Sequence, residues 1–226
     1  MTMNLKSVTL VRSSRKSIGI IIHPDGSVVV RAPHRATNKQ IREVLEKRKD
    51  WILKHKENFD KIGPVYSQRE FLDGVKHLFM GKEYLLRINR EQVNSVIKNE
   101  QVIYINCTNE KLAKPLMEQW YKEKANELMP GVIMPVITKF KSTYHKSPAK
   151  VSLKTMKSRW GSCSSKGNIS MNTKLIKSPV RCIEYVMAHE LCHLIEMNHS
   201  KDYYALLTEF MPDWKDRKKE LDHFMR

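Results

Sequence analysis

The sequence predicts an α+β fold, in which an antiparallel, β-rich N-terminal portion with one helix precedes a mainly helical C-terminal half. Before residue 108, short apolar runs alternate with turn residues, as is typical of strands and hairpins. After residue 108, apolar residues recur every three or four positions over long stretches, which is the period of a helix with one buried face. A soft boundary near residue 108 therefore divides the chain into 1–108 and 109–226, unless the two portions form one compact unit.

The first third of the chain predicts strands followed by one helix. Three short runs rich in apolar residues predict the strands, at 8–10, 18–22 and 28–30. Thr37 and Gln40 have the spacing of a capping box, which opens a helix. Gly63-Pro64 is expected to end that helix, because glycine and proline both interrupt helical structure.

The middle of the chain predicts a second group of strands and then two helices. Residues 71–106 have the pattern of an antiparallel set, with a hairpin around Gly81. A helix begins near Leu112, and Pro130 is expected to kink or end it, because proline lacks the amide hydrogen and its ring clashes with the preceding turn. A further helix is predicted over 133–144.

The C-terminal part predicts three strands and a long apolar helix. The strands are expected at 151–156, 159–163 and 169–171, with a turn at Gly167-Asn168. The helix is predicted over 179–197, with Ser178 as its cap and Pro179 in its first turn. Because this helix is apolar on most of its surface, polar side chains within it would be costly to bury without a partner.

Such polar side chains are present in the segment His189-Glu190-Leu191-Cys192-His193, which is followed by His199. Two histidines four residues apart lie on one helical face, so their imidazoles can converge on a single metal ion. Glu190 then lies beside that ion, where it can take a proton from a bound water. A structural zinc site would use four protein ligands, usually several cysteines, whereas three ligands and a water permit catalysis. The pattern predicts a catalytic Zn²⁺ site.

The third ligand has two candidates within reach in the sequence. Glu196 returns to nearly the same helical face as His189, but it lies roughly 10 Å further along the axis, which is too far to share one ion. His199 would point about 240° away from His193 on an unbroken helix, so it can join only if the helix stops first. Met197-Asn198 is the predicted stop, since asparagine tolerates a left-handed conformation, and Ser200 can cap a new helix.

Several motifs of the C-terminal half occur together: Arg159-Trp160-Gly161-Ser162-Cys163, Asn172 with Leu175, residues 189–194, and Asn198-His199-Ser200. In this combination the chain resembles the YgjP-like family of predicted metal-dependent hydrolases, which is grouped with zincin peptidases and is similar in its active-site helix to the SprT and Wss1 proteases. The resemblance implies a zincin-like fold with metal ligands His189, His193 and His199, and with Glu190 as general base. It also implies that an edge strand of the segment 151–171 lies beside the active-site helix and accepts a substrate peptide by strand addition.

The composition of the chain indicates which partners it can attract and where in the cell it is expected. The net charge of +17 would attract polyanions through counterion release, with local concentrations of Lys and Arg at 42–56, 139–157 and 215–219. Dispersed lysines also serve simply as a solvated surface, and no nucleic-acid-binding signature is present.

No apolar run approaches the length of a membrane span, and residues 1–12 lack the apolar core of a signal peptide. Without CxxC pairs, the four cysteines are expected to be reduced. We therefore expect a cytoplasmic protein with no membrane partner.

These observations predict a zinc metallopeptidase that acts on protein or peptide substrates, with Glu190 as the general base. Candidates for stabilising the oxyanion are Tyr203, Tyr204 and Arg159. One alternative is a basic protein that binds nucleic acid without sequence preference and has a structural or vestigial metal site; a fourth ligand such as Cys192 or Cys163 would favour it. Another is a protease brought to its substrates by DNA. If His199 is not the third ligand, Glu209 is the next candidate.

Overall fold

A computed structural model of the chain describes residues 8–22, 27–53 and 71–224. The chain divides into two compact units, Met1–Val65 and Tyr66–Met225. The boundary expected near residue 108 lies inside the second unit. The predicted turn at 24–26 and the predicted helix end at Gly63-Pro64 lie outside the described residues.

The first unit contains a three-stranded sheet and a helix. Its strands are β1 (Thr9–Ser13), β2 (Gly19–Ile22) and β3 (Val28–Pro33), with β3 in the centre. Helix α1 (Asn38–Lys47) opens with the predicted capping box, in which the Thr37 and Gln40 side chains each accept a hydrogen bond from the backbone of the other. Alternate side chains of β3 pack against α1 in a small apolar core: Val28, Val30 and Ala32 with Ile41 and Leu45.

The second unit begins with a four-stranded sheet in the order β4-β5-β7-β6. Its strands are β4 (Lys76–Phe79), β5 (Lys82–Arg90), β6 (Ser95–Lys98) and β7 (Val102–Cys107). The predicted hairpin around Gly81 is confirmed, because β4 and β5 are antiparallel, as are β6 and β7. The expectation of a wholly antiparallel set is wrong, because β5 and β7 are parallel, as are β1 and β3 in the first unit. The reason is burial: β7 buries three of its side chains and takes the central place beside β5, while the more exposed β6 remains at the edge.

Helix α2 (Ala113–Tyr144) is continuous over 32 residues, although Pro130 and Pro135 lie inside it. The predicted break at Pro130 is therefore wrong. A proline in a helix interior costs about 3 kcal/mol, but buried side chains continue on one face on both sides of the prolines, including Met129, Ile133 and Phe140. Their packing against the core offsets the missing hydrogen bonds.

The remaining elements surround one central helix. They are β8 (Lys150–Lys154), β9 (Gly161–Cys163), β10 (Asn168–Asn172), a 3₁₀ turn (Thr173–Lys177), α3 (Val180–Cys192), α4 (Lys201–Phe210) and α5 (Trp214–Phe224). The turn before β10 lies where it was predicted, with Gly167 at φ +73°. Helix α3 packs against α2, α4, α5, β9 and β10, and nearly all of its last turns are buried. The described residues thus form a mixed α/β structure with three small sheets.

The start of α3 is fixed by neighbouring segments and not by a side-chain cap. The N-cap position is Pro179, and the Ser178 hydroxyl donates instead to the Leu175 carbonyl at 2.7 Å. The cap predicted at Ser178 is wrong, because this serine closes the preceding 3₁₀ turn. Gly81, at φ +77° in the β4–β5 turn, lies so close that a Cβ atom would stand 2.8 Å from Cγ of Pro179. Among the described helices, none has an apolar stretch long enough to cross a membrane.

Candidate active site

The two histidines of the HExxH segment lie at the end of α3, which stops earlier than predicted. The helix ends at Cys192, and His193 is its C-cap. The Leu191 carbonyl accepts from the Leu194 amide at 2.9 Å, which tightens the last turn and lets the chain leave the helix axis. The left-handed stop predicted at Asn198 is wrong, because positive φ angles among described residues other than glycine occur only at Met80 and His145.

The break brings His199 back toward α3, as its role as a ligand would require. Ser200 caps α4 as predicted, since its hydroxyl oxygen accepts from the Tyr203 amide at 3.1 Å. His199 therefore lies two residues before the first residue of α4, Lys201, with the cap residue Ser200 between them. This arrangement faces the His199 ring toward the ring of His189, with ring centroids 5.0 Å apart.

The structure brings His189, His193 and His199 together, with one ring nitrogen of each within 4.8 Å of the others. The His189 and His199 Nε2 atoms are 3.1 Å apart. Among the described residues, no cysteine or carboxylate completes this group, so the fourth ligand considered at Cys163 or Cys192 is not brought to it. The alternative ligand, Glu209, accepts a hydrogen bond from the Tyr144 hydroxyl at 3.0 Å.

The three imidazoles fit a metal ion. Two nitrogens bound tetrahedrally to one Zn²⁺ at about 2.0–2.1 Å stand roughly 3.3 Å apart, close to the observed separation of His189 and His199. Nδ1 of His193 lies 3.0 Å from the Glu196 carbonyl; as a donor to that oxygen, it leaves the Nε2 lone pair free for a metal. Nδ1 of His189 is buried, and no hydrogen-bond partner for it is found among the described residues.

Burial favours the neutral, metal-binding form of the two histidines at the end of α3, His189 and His193. Burial, followed by the charges of the neighbouring His193 and His199 rings, lowers the pKa of His189 to about 3. Burial also lowers the pKa of His193. Neutral imidazoles can direct their ring lone pairs at one divalent cation, which supplies a shared positive partner.

Glu190 belongs to α3, and its side chain lies against Gly161 at the start of β9. The glutamate is only 5% exposed, and burial raises its pKa to about 7, against the opposing effect of the Arg159 charge. A Cβ atom on Gly161 would stand 2.7 Å from Cγ and 2.8 Å from Cδ of Glu190. Only glycine leaves room for the carboxylate at this point. A carboxylate with a pKa near neutrality is suited to general base chemistry.

Asn172 holds the loop that leads into β9, a role that the sequence did not suggest. Its side-chain amide donates to the Met156 carbonyl at 3.0 Å and to the Arg159 carbonyl at 2.9 Å. Its side-chain oxygen accepts from the backbone amides of Met156 and Lys174, and its backbone amide donates to the Trp160 carbonyl. Asn172 is 1% exposed, so these bonds replace solvent completely.

The three oxyanion candidates occupy different places. Tyr203 is fully buried, and its hydroxyl donates to the His189 carbonyl at 3.0 Å, so this hydroxyl is already engaged. Tyr204 is 42% exposed, with its ring 6.1 Å from that of His199. Arg159 is exposed, and its charge acts on Glu190. Tyr204 and Arg159 therefore remain the available donors.

Comparison with known families agrees with the motifs. A family model described as YgjP-like, metallopeptidase domain matches residues 16–224, nearly the whole chain. No curated protein matches the chain. The family match confirms the resemblance read from the motifs, and the metallopeptidase domain implies a metal ion. This chain therefore belongs to the YgjP-like family and carries its metallopeptidase domain.

Proposed function

We propose that the protein is a zinc-dependent metallopeptidase in which His189, His193 and His199 hold the ion. The observation that carries the proposal is the convergence of three ring nitrogens within 4.8 Å, beside the buried Glu190. Three nitrogen ligands with no fourth protein ligand are typical of catalytic zinc sites, whereas structural sites are closed by four. When bound, zinc would polarise the scissile carbonyl and lower the pKa of the attacking water.

Glu190 is the proposed general base. Its carboxylate takes a proton from the attacking water and later passes that proton to the leaving amine. Its burial against Gly161 excludes solvent from one side of the carboxylate. The exposed Arg159 and Tyr204 are the proposed donors to the oxyanion.

Strand β9 is the proposed binding strand for a peptide substrate. It lies at the edge of its sheet, paired with β10 on one side, and it packs against α3. An edge strand offers unpaired backbone groups to an extended peptide, and these bind without demanding a particular sequence. Together with α3, this edge strand supports the zincin-like layout, in which substrate lies alongside the active-site helix.

The test combines metal analysis with a peptidase assay. We expect the purified protein to carry about one zinc, and His189→Ala, His193→Ala or His199→Ala to lose it, because two remaining ligands are too few for tight retention. Glu190→Gln should keep the metal and lose hydrolysis of an unfolded protein substrate, since the amide matches the carboxylate in shape but is not a base. Full occupancy in the histidine variants would refute the metal site. Undiminished turnover in Glu190→Gln would refute the role of the glutamate.

A specific charge distribution favours a second property, non-specific binding of nucleic acid by the first unit. Its described residues, 8–22 and 27–53, include ten Lys and Arg against three Asp and Glu, a net +7 in 42 residues. Residues 71–224 carry 25 against 17, a net +8 spread over 154 residues. The basic run 215–219 is partly neutralised, because Arg217 pairs with Glu184 and Asp213, and Lys218 pairs with Asp222. Nucleic acid bound at the first unit would bring the proposed peptidase to proteins on it.

A further inference from the structure

Tyr203 lies in the first turn of α4, buried beneath the three histidines. It is fully buried. Its ring centroid is 4.7 Å from those of His193 and His199 and 5.4 Å from that of His189. The ring stacks on His193 and meets the other two edge to face, so a single side chain contacts every proposed ligand.

The Tyr203 hydroxyl completes the end of the helix that carries two of these ligands. The last four carbonyls of a helix lack an intrahelical amide partner. In α3, the Leu191 and Cys192 carbonyls are satisfied by amides of the following turn. The His189 carbonyl accepts instead from the Tyr203 hydroxyl, at 3.0 Å. This bond ties the backbone of the first ligand to a residue of α4.

The third proposed ligand, His199, is linked to Tyr203 through the neighbouring Ser200. His199 is followed by Ser200, whose side chain accepts from the Tyr203 amide at 3.1 Å. The link from α3 to His199 is the segment 193–198, in which Ile195 and Met197 are exposed. Packing of exposed side chains does little to hold His199 near His189. Besides the direct contacts of His199 with the His189 and His193 rings, the bond and ring contacts of Tyr203 link the two ligand segments.

We propose that Tyr203 is a positioning residue that preorganises the three histidines for the metal; this inference rests on the metal site proposed above. It reassigns the tyrosine from oxyanion stabilisation to support of the ligands. Residues that fix metal ligands from behind change metal affinity by about 10- to 100-fold when altered. The expected effect arises because a loosened His199 must be ordered when the metal binds.

The test compares Tyr203→Phe with Tyr204→Phe, which makes the same change one residue later on an exposed ring. The measurements are the zinc dissociation constant, obtained by chelator competition, and the visible absorption spectrum of the cobalt-loaded protein. We expect Tyr203→Phe to weaken zinc binding about tenfold and to alter the cobalt spectrum, and Tyr204→Phe to leave both unchanged. Ser200→Ala, which removes the bond that places Tyr203, should shift both measurements in the same direction.

A purely structural role predicts a different result. In that case Tyr203→Phe and Ser200→Ala would lower the melting temperature of the metal-free protein, while zinc affinity and the cobalt spectrum would match those of the wild type. That outcome would overturn the inference and leave the proposed peptidase intact. Absence of zinc binding by the wild-type protein would instead overturn the proposed metal site, and the role of Tyr203 with it.

Discussion

Buried Glu190 should make the stability of the metal-free protein depend on pH, and Glu190→Gln should remove that dependence. Burial raises the pKa of this carboxyl from 4.5 to about 7. In the unfolded chain the carboxyl ionises at its ordinary pKa. Between these two values the folded protein holds a proton that the unfolded chain has lost. The free energy of unfolding therefore falls as the pH rises through this window, and the full cost is present above a pH of about 7.

The magnitude follows from the same two values. A pKa difference contributes about 1.4 kcal/mol for each pH unit, so raising the Glu190 pKa from 4.5 to about 7 costs about 3 kcal/mol once the group is ionised. The carboxylate is 5% exposed, so solvent screening reduces this figure little. Glutamine has nearly the same shape and no charge, so the free energy of unfolding of Glu190→Gln lacks this contribution at every pH.

Urea unfolding of the metal-free proteins at about pH 5 and about pH 8 measures the effect. Tryptophan fluorescence reports mainly the second unit, because Trp120, Trp160 and Trp214 lie there. On going from the lower to the higher pH, we expect Glu190→Gln to gain about 2.5 kcal/mol relative to the wild type, because a small part of the cost is already present at the lower pH. Glu196→Gln is the matched control, since it makes the same chemical change on a partly exposed side chain of the same segment.

Parallel pH profiles of the wild type and Glu190→Gln would refute the reasoning, because the cost of the buried charge would then be absent. Saturating zinc provides a second check. A nearby cation favours the ionised carboxylate, so the advantage of Glu190→Gln at the higher pH should shrink when the metal is bound. An advantage of equal size with and without zinc would place the ion away from Glu190.

Three further changes test the surroundings of the site. Gly161→Ala should abolish peptidase activity and lower stability by about 1–3 kcal/mol, measured by turnover and urea unfolding, because a methyl group collides with Glu190; wild-type turnover would contradict this. Asn172→Asp should raise KM more than it lowers kcat and leave the zinc content unchanged, because the variant loses both side-chain donors to the loop before β9. The control is Asn168→Asp, which makes the same change at an exposed position of the same strand. Equal KM values for the two variants would contradict the prediction. Neutralising Arg35, Lys39 and Arg42 on the first unit should reduce the slope of log DNA affinity against log salt concentration by up to about three. The control neutralises the exposed Lys141, Lys146 and Lys150 of the second unit, which should leave the slope unchanged. Equal slopes for the two variants would reject the first unit as the binding face.

The parts of the site predicted from the sequence are those fixed by local geometry. His189 and His193 share a helical face because the period of a helix is constant, and Ser200 caps α4 because its hydroxyl acts within its own turn. The end of α3 was predicted about five residues too late. The apolar residues after His193 continue the helical pattern, whereas the actual end depends on hydrogen bonds of the tight last turn and on Tyr203 from another helix.

The parts of the fold that were predicted wrongly depend on packing between distant segments. Pro130 breaks an isolated helix, but the buried face of α2 continues past it. The parallel pairing of β5 and β7 follows from which strand is buried in the centre, and strand alternation alone does not encode that order. Likewise Asn172 and Tyr203 act on backbone atoms 12 or more residues away, so residue spacing gives no signal of their roles.

The contact between Gly161 and Glu190 couples the two halves of the proposed reaction. Gly161 opens the edge strand that would bind the substrate backbone, and Glu190 would deprotonate the attacking water. Because no side chain fits between them, a shift of β9 away from α3 would also expose the carboxylate to solvent and return its pKa toward the ordinary value. In the proposed reaction, the basicity of Glu190 and the position of a peptide bound at β9 would therefore both depend on this contact, so substitutions that loosen β9 should change the pH dependence of turnover as well as KM.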